Sequence, residues 1–242
     1  MPDGSRQGPT QRSIGMIEAL SAEPRYTAVR TTGIFCRAGC PARAPLARNI
    51  ELFDSPSAAL SAGYRPCLRC RPAPIVVTAE LTTPLGPMLA GAADDGICLL
   101  EFTDRRMLAT QRAIVGRRFG ATLVAGHHPL LNRLQGELDA YFARMLRTFT
   151  TPIVAPGGAL DERVWAELLV IPYGETVSYQ ELAGRVDRPG AHRAVGSANG
   201  RNRIAIIIPC HRVIEKAGGL GGYGGKIWRK ERLLALERAA AA

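Results

Sequence analysis

No stretch of this chain approaches the roughly 18 consecutive apolar residues of a membrane span, and Met1 to Arg12 lacks the apolar core of a signal peptide. These absences lead us to expect a cytoplasmic or nucleoid-associated protein without a membrane partner. Lysine is scarce too, because the 31 basic residues include only three lysines. Internal repeats are absent, which sets aside solenoids and propellers. Basic residues still outnumber the 21 acidic ones, giving a formal net charge of +10. That surplus suits a polyanionic partner such as nucleic acid, although arginine-rich composition also fits plain basic solubility. With 46% hydrophobic residues among 242, the chain has material for one large domain or two small ones.

Residues 1–15 carry two early prolines and no periodic apolar face, and are expected to form a disordered tail. Residues 16–74 are poor in apolar runs and hold four cysteines, so a separate module stapled by a metal is expected there. After a linker at Arg71-Pro72-Ala73-Pro74, the runs Ile75 to Leu81 and Met88 to Phe102 alternate with turn signals and predict an antiparallel sheet. Helical stripes follow over Leu130 to Phe142 and Asp161 to Val170. Two short helices, Ser178 to Val186 and Ala191 to Asn199, flank the turn Asp187-Arg188-Pro189-Gly190 and predict a helix-turn-helix. The apolar run Ile204 to Ile208 should be buried, and a Gly-rich loop from Gly218 to Gly225 precedes a last helix over Trp228 to Arg238.

The spacing Cys36-x3-Cys40 with Cys67-x2-Cys70 supplies two close pairs of soft ligands, which tetrahedral Zn²⁺ requires. Spacing alone is compatible with a closed structural site. The strings Ala28 to Arg43 and Gly63 to Pro72 resemble the N-terminal zinc domain of the Ada family over residues 16 to 74. The resemblance implies one Zn²⁺ on Cys36, Cys40, Cys67 and Cys70, with Cys36 taking the methyl of a methylated backbone phosphate. Arg37, Arg43, Arg65, Arg69 and Arg71 crowd these motifs, and Arg43 is the first choice for a phosphate contact. Pro41 replaces an arginine of some members, which removes one such contact.

A lone Cys-His pair is also compatible with a buried core cysteine. Ile206 to Val213, containing Pro209-Cys210-His211-Arg212, is more specific. Together with Arg193 to Gly196, Asn202 and Pro172 to Tyr179, it resembles the O6-alkylguanine-DNA alkyltransferases over residues 75 to 242. The implied fold is α+β: an RNase H-like α/β subdomain over 75–155, then a helical, winged-helix-like subdomain over 156–242 that holds the helix-turn-helix. The implied reaction is irreversible transfer of an alkyl group from O6-alkylguanine, with O4-alkylthymine as a further substrate, to Cys210. A soft thiolate suits displacement at carbon, but a thiol with a pKa near 8.5 needs a base. In the family pattern His211 is that base, acting through a water and oriented by Glu237.

The target base must leave the duplex. The resemblance gives Arg193 as the finger that fills the gap, on a helix whose small residues Ala191 and Gly196 allow close approach to the minor groove. Tyr179 contacts the flipped nucleotide, Asn202 ties the recognition helix to the active segment, and Tyr223 belongs to the loop that closes over the base. Gly224 stands where some members place a serine near guanine O6. The expected partner is double-stranded alkylated DNA with little sequence preference, met by a monomer. His127, His128, Cys98 and His192 fall in no motif.

Two other classes remain at this point. The zinc module is a structural or damage-sensing DNA-binding unit if Cys36 takes no methyl, or it is part of a methylation-responsive regulator. A cysteine hydrolase on Cys210 and His211 lacks an oxyanion motif. The short passage near Pro74 leaves no room for the transcription-activator-type region of larger Ada proteins, which argues against transcriptional activation.

Overall fold

The structure is a computed structural model describing residues 26–54, 56–72 and 75–239. The tail expected over residues 1–15 lies outside the described residues.

In the first module, β1 (Tyr26–Val29), β2 (Ile34–Arg37), β3 (Ile50–Phe53) and β4 (Arg65–Pro66) form a sheet in the order β3-β1-β2-β4, beside the short helix α1 (Pro56–Ser61). Among its described residues, the fully buried apolar ones are Ala28, Phe35 and Ala59. Such a small core supplies little folding free energy, and the staple expected from the sequence answers that deficit.

The second layer starts with β5 (Ile75–Leu81), β6 (Met88–Ala93) and β7 (Gly96–Phe102), which form the expected antiparallel meander. A fourth strand, β8 (Thr122–Ala125), pairs parallel to β5, reached from β7 through α2 (Leu108–Phe119). Helix α3 (Pro129–Phe142) turns Leu131, Leu134, Leu138 and Tyr141 inward. Its N-terminus is capped by His128, whose Nδ1 accepts from the Leu130 N–H at 3.2 Å, a role no motif disclosed.

The last third holds α4 (Ala159–Leu169), β9 (Val177–Ser178), α5 (Tyr179–Arg185), α6 (His192–Gly200), β10 (Val213–Ile214) and α7 (Ile227–Arg238). Ser178 and Glu181 form a reciprocal capping box that starts α5. Helices α5 and α6 are the expected two-helix unit. Trp165 of α4 donates from Nε1 to the Ala198 carbonyl at 3.0 Å, fixing α6 on α4.

Strand β7 joins the two halves, because its free edge is taken by two irregular segments. Ile97 N–H donates to Pro152 O at 2.8 Å and Ile97 O accepts from Val154 N–H at 2.9 Å. Further along, Leu100 N–H donates to Arg203 O and Leu100 O accepts from Ala205 N–H, each at 2.8 Å. A Cβ at Gly96 would come within 2.8 Å of Pro152 O, so this approach requires glycine. The edge is therefore closed by the segment that leads to Cys210.

The apolar run Ile204 to Ile208 is buried, as its composition implies, but it does not form a strand. It folds into tight turns, with Ile206 at φ 71° and Ile208 N–H bonded back to Ile204 O at 3.0 Å. Buried backbone outside a ladder needs other partners. Asn202 supplies them, accepting from Ile204 N–H at 2.9 Å and donating to Ile208 O at 2.9 Å.

Candidate active site and metal centre

In the first module Cys36 lies on β2, Cys40 follows a turn through Gly39 at φ 73°, and β4 delivers Cys67 and Cys70. The parallel pairing of Phe35 with Pro66 and the Cys67 N–H donating to Phe35 O at 2.9 Å bring the two halves of the motif together. All four sulfurs lie within 4.8 Å of one another, with Cys40 Sγ and Cys67 Sγ 3.9 Å apart. A tetrahedron with Zn–S bonds of about 2.3 Å puts its sulfurs about 3.8 Å apart, so the donor set fits Zn²⁺. Backbone N–H groups of Cys70 and Arg69 point at the Cys67 sulfur and pull its thiol down to about 7 against burial. Cys67 and Cys70 are buried, while Cys36 and Cys40 are half-buried. Arg43 is exposed.

The larger site is a cavity of about 800 Å³ between the β7 end, α5, α6 and the Gly-rich loop. It brings together Cys210, Asn202, Tyr179, Arg193, Gly196 and Tyr223. Ala191 sits just before α6, outside this lining, and His192 lines the mouth instead. Cys210 opens a single 3-10 turn, Cys210 to Arg212, directly after the buried 204–208 segment. Its carbonyl accepts from Asn199 Nδ2 at 3.3 Å, which ties α6 to the thiol-bearing turn. A Cβ on Gly196 would sit 3.6 Å from the Tyr179 ring, so α5 and α6 meet closely at the cavity wall.

Behind the thiol lies a buried polar cluster. Glu237 Oε1 is 2.9 Å from His211 Nε2 and also accepts from Tyr141 OH at 2.7 Å. Arg212 donates to both carboxylate oxygens at 2.9 Å, and Gly174 N–H donates to Oε2 at 3.3 Å. Burial alone would raise the Glu237 carboxyl, but its bonds from His211 and Arg212 prevail and hold it far below the usual range. An ionised Glu237 accepts a hydrogen bond from His211 Nε2–H and so selects the tautomer with a free lone pair on Nδ1. That Nδ1 is buried and has no partner among the described residues. Burial lowers the His211 pKa, with Glu237 opposing, and raises the Cys210 thiol. At neutral pH the resting pair is therefore a neutral imidazole and a protonated thiol.

Sequence reasoning did not single out Tyr141, Asn199, Arg212, Glu101, Arg105 or Lys230 as site residues. Buried Lys230 donates to Val213 O at 2.5 Å and also to Leu220 O, joining α7 to the Gly-rich loop. Burial pulls its ammonium down to about 8. Glu101 had one sequence signal, a carboxylate inside the otherwise apolar run Gly96 to Phe102. Trp228 is outside the cavity lining and packs against the Arg229 guanidinium at 4.7 Å.

Comparison with known proteins follows the same division. Residues 21–73 match the family described as the metal binding domain of Ada, and residues 159–239 match the 6-O-methylguanine DNA methyltransferase, DNA binding domain. The methylated-DNA--protein-cysteine methyltransferase of Mycobacterium tuberculosis is 55% identical over 105 residues, spanning 43% of this chain and 64% of that protein. This alignment thus takes in less than two thirds of the relative's length. The bifunctional transcriptional activator/DNA repair enzyme Ada of Escherichia coli is 28% identical over 319 residues, spanning 87% of this chain and 90% of Ada. That alignment is longer than the present chain, so it bridges a segment that Ada has and this chain lacks. The crystal structure of M. tuberculosis OGT in complex with DNA is 39% identical, with a TM-score of 0.58, over 68% of this chain and 94% of that one. The chain belongs to the methylated-DNA--protein-cysteine methyltransferases, joined here to an Ada-type metal-binding domain at its amino-terminal side.

Proposed function

We propose that Cys210 irreversibly accepts the alkyl group of O6-alkylguanine in double-stranded DNA, O4-alkylthymine being a second substrate. The observation that carries this reading is a thiol in the wall of a cavity with room for a base, backed by a histidine whose Nδ1 has no partner among the described residues and whose Nε2 is held by Glu237. Removing the thiol proton alone would leave a buried thiolate, and protonating His211 alone would leave a buried imidazolium. Moving one proton between them creates an opposite pair, which costs far less than either isolated charge. The Cys210 sulfur then attacks the alkyl carbon, the carbon–oxygen bond breaks, and its electron pair stays on guanine O6. A thioether cannot revert, so each chain acts once.

DNA meets the α5–α6 unit through the minor groove, where degenerate readout suits a protein that inspects any sequence. Exposed Arg193 at the cavity mouth fills the space left by the extruded base. Tyr179 and Tyr223 wall the base, and Asn202 holds the 204–208 segment in place. A titration with duplexes containing O6-methylguanine tests the single-use reaction. Repaired lesions should plateau at one per protein chain, whereas continued turnover at excess substrate would contradict it.

We further propose that Cys36 accepts the methyl of a methyl phosphotriester. Zn²⁺ bound by the four cysteines keeps their sulfurs as thiolates at neutral pH. Four thiolates about one dication carry a formal −2, which repels ordinary phosphodiesters but not a locally neutral methyl phosphotriester. Methylation of half-buried Cys36 reduces that charge to −1 and should strengthen DNA binding, with Arg43 on the phosphate-facing side. Peptide mapping after incubation with phosphotriester-containing duplex should find methyl on Cys36. An unmodified Cys36 beside a methylated Cys210 would leave the module a structural or damage-sensing unit.

A further inference from the structure

Two charged residues in the Cys210 cavity, Glu101 and Arg105, have no part in the steps above. Glu101 is fully buried, and the Arg105 side chain is 10% exposed. Nη1 of Arg105 bonds the Glu101 carboxylate and lies 3.4 Å from Asn202 O, while Nη2 donates to Gly200 O at 2.8 Å. The guanidinium is thereby fixed to β7, to the end of α6 and to the segment that leads to the thiol. Its Nε–H is buried and has no partner among the described residues.

A buried ion pair is weak evidence for stability, since apolar residues of the same volume often serve as well. Its place in the cavity points instead to a ligand. A Cβ built on Gly224 would come within 2.6 Å of Arg105 Cζ and 2.9 Å of Nε. A side chain at 224 and the guanidinium in this position therefore exclude each other. Arg105 occupies the space beside the loop where Gly224 offers no hydroxyl.

Resting on the reading of Cys210 as acceptor, we infer that Arg105, held by Glu101, donates its Nε–H to the departing O6 of guanine. When the Cys210 sulfur bonds to the alkyl carbon, the carbon–oxygen electron pair passes to O6 and spreads toward N1. The thiol proton has moved to His211, and guanine regains a proton at N1 from solvent. Arg105 keeps all its protons, because a guanidinium is not an acid at neutral pH. It stabilises charge that exists only as the bond breaks, which is where a fixed donor accelerates a reaction.

The full-length zinc-loaded protein tests this with three substrates: duplex O6-methylguanine, O6-benzylguanine, and an O6-benzylguanine whose electron-withdrawing 8-substituent makes a better leaving group. Iodoacetamide labelling of Cys210 reports the thiol without any guanine leaving group. Arg105→Ala should slow methyl transfer on the order of 10²-fold, lose less on the activated benzyl substrate, and leave iodoacetamide labelling and undamaged-duplex affinity within about twofold. Adding Gly224→Ser to Arg105→Ala should restore part of the rate. If Arg105→Ala proves poorly folded by circular dichroism, Arg105→Lys carries the test. It keeps the charge beside Glu101 but lacks the Nε–H, and should show the same dependence on leaving group.

Equal slowing of all substrates and of iodoacetamide would make Arg105 a structural residue and overturn the inference. Unchanged methyl transfer, or loss of duplex affinity alone, would overturn it equally. Wild-type protein that leaves Cys210 unmethylated would instead refute the acceptor reading, and this inference with it.

Discussion

Glu237 decides how the acceptor thiol is activated, because one carboxylate simultaneously orients His211, balances Arg212 and receives Tyr141. In Glu237→Gln the amide cannot accept from all three donors, and Arg212 is left as an unbalanced buried charge. The variant should lose about 3 kcal/mol of stability by urea unfolding, and its methyl-transfer rate should fall on the order of 10²-fold. An unchanged rate in a folded Glu237→Gln protein would remove the histidine relay from the mechanism. The pH profile follows from the same cluster. Burial lowers the His211 pKa, so the base stays neutral and competent down to values below the ordinary 6.5. The rate constant should be flat through neutrality and decline only at pH below 6.5; a midpoint at or above that value contradicts the assignment. Stability has the same sign. Folded His211 binds its proton more weakly than unfolded His211, so its contribution is complete above about 6.5 and falls as pH drops below it.

At the scale of elements, the acceptor turn depends on a buried segment with no ladder of its own. Asn202→Ala removes the bonds to Ile204 N–H and Ile208 O, leaving buried backbone groups unsatisfied. The loss should be about 2 kcal/mol in thermal or urea unfolding, with methyl transfer falling as Cys210 loses its position. A variant as stable and as fast as wild type would show that the 204–208 turns hold themselves. Much of this architecture was legible in the sequence. The short helix expected over Ser178 to Val186 is α5, Asp187 to Gly190 gave the turn, and the Leu131, Leu134, Leu138 stripe the core face of α3. Helix α2 was not legible, because it buries only Gln111 and Val115 and shows almost no apolar period. Strand β8 was missed because its four residues carry no alternation that separates them from loop. The Glu101–Arg105 pair needed three dimensions, since the four-residue spacing crosses from β7 into a turn rather than along a helix.

At the scale of the whole molecule, the two modules differ in what holds them together. The larger has a continuous core running from β5 to α7, whereas the smaller, among its described residues, has a completely buried core of Ala28, Phe35 and Ala59. Metal removal by a chelator should therefore make residues 26–72 the first target of limited proteolysis, while O6-methylguanine repair continues at an undiminished rate. Loss of both together would mean that the larger module depends on the smaller one for its fold.

Whether Cys210 is the alkyl acceptor is decided by intact-mass measurement with peptide mapping after incubation with duplex DNA containing O6-methylguanine. The expected result is a mass gain equal to one methyl replacing one hydrogen, located on Cys210 and absent from Cys210→Ala. Methyl that disappears from the DNA without appearing on Cys210, or a Cys210→Ala protein that still removes it, would contradict the claim.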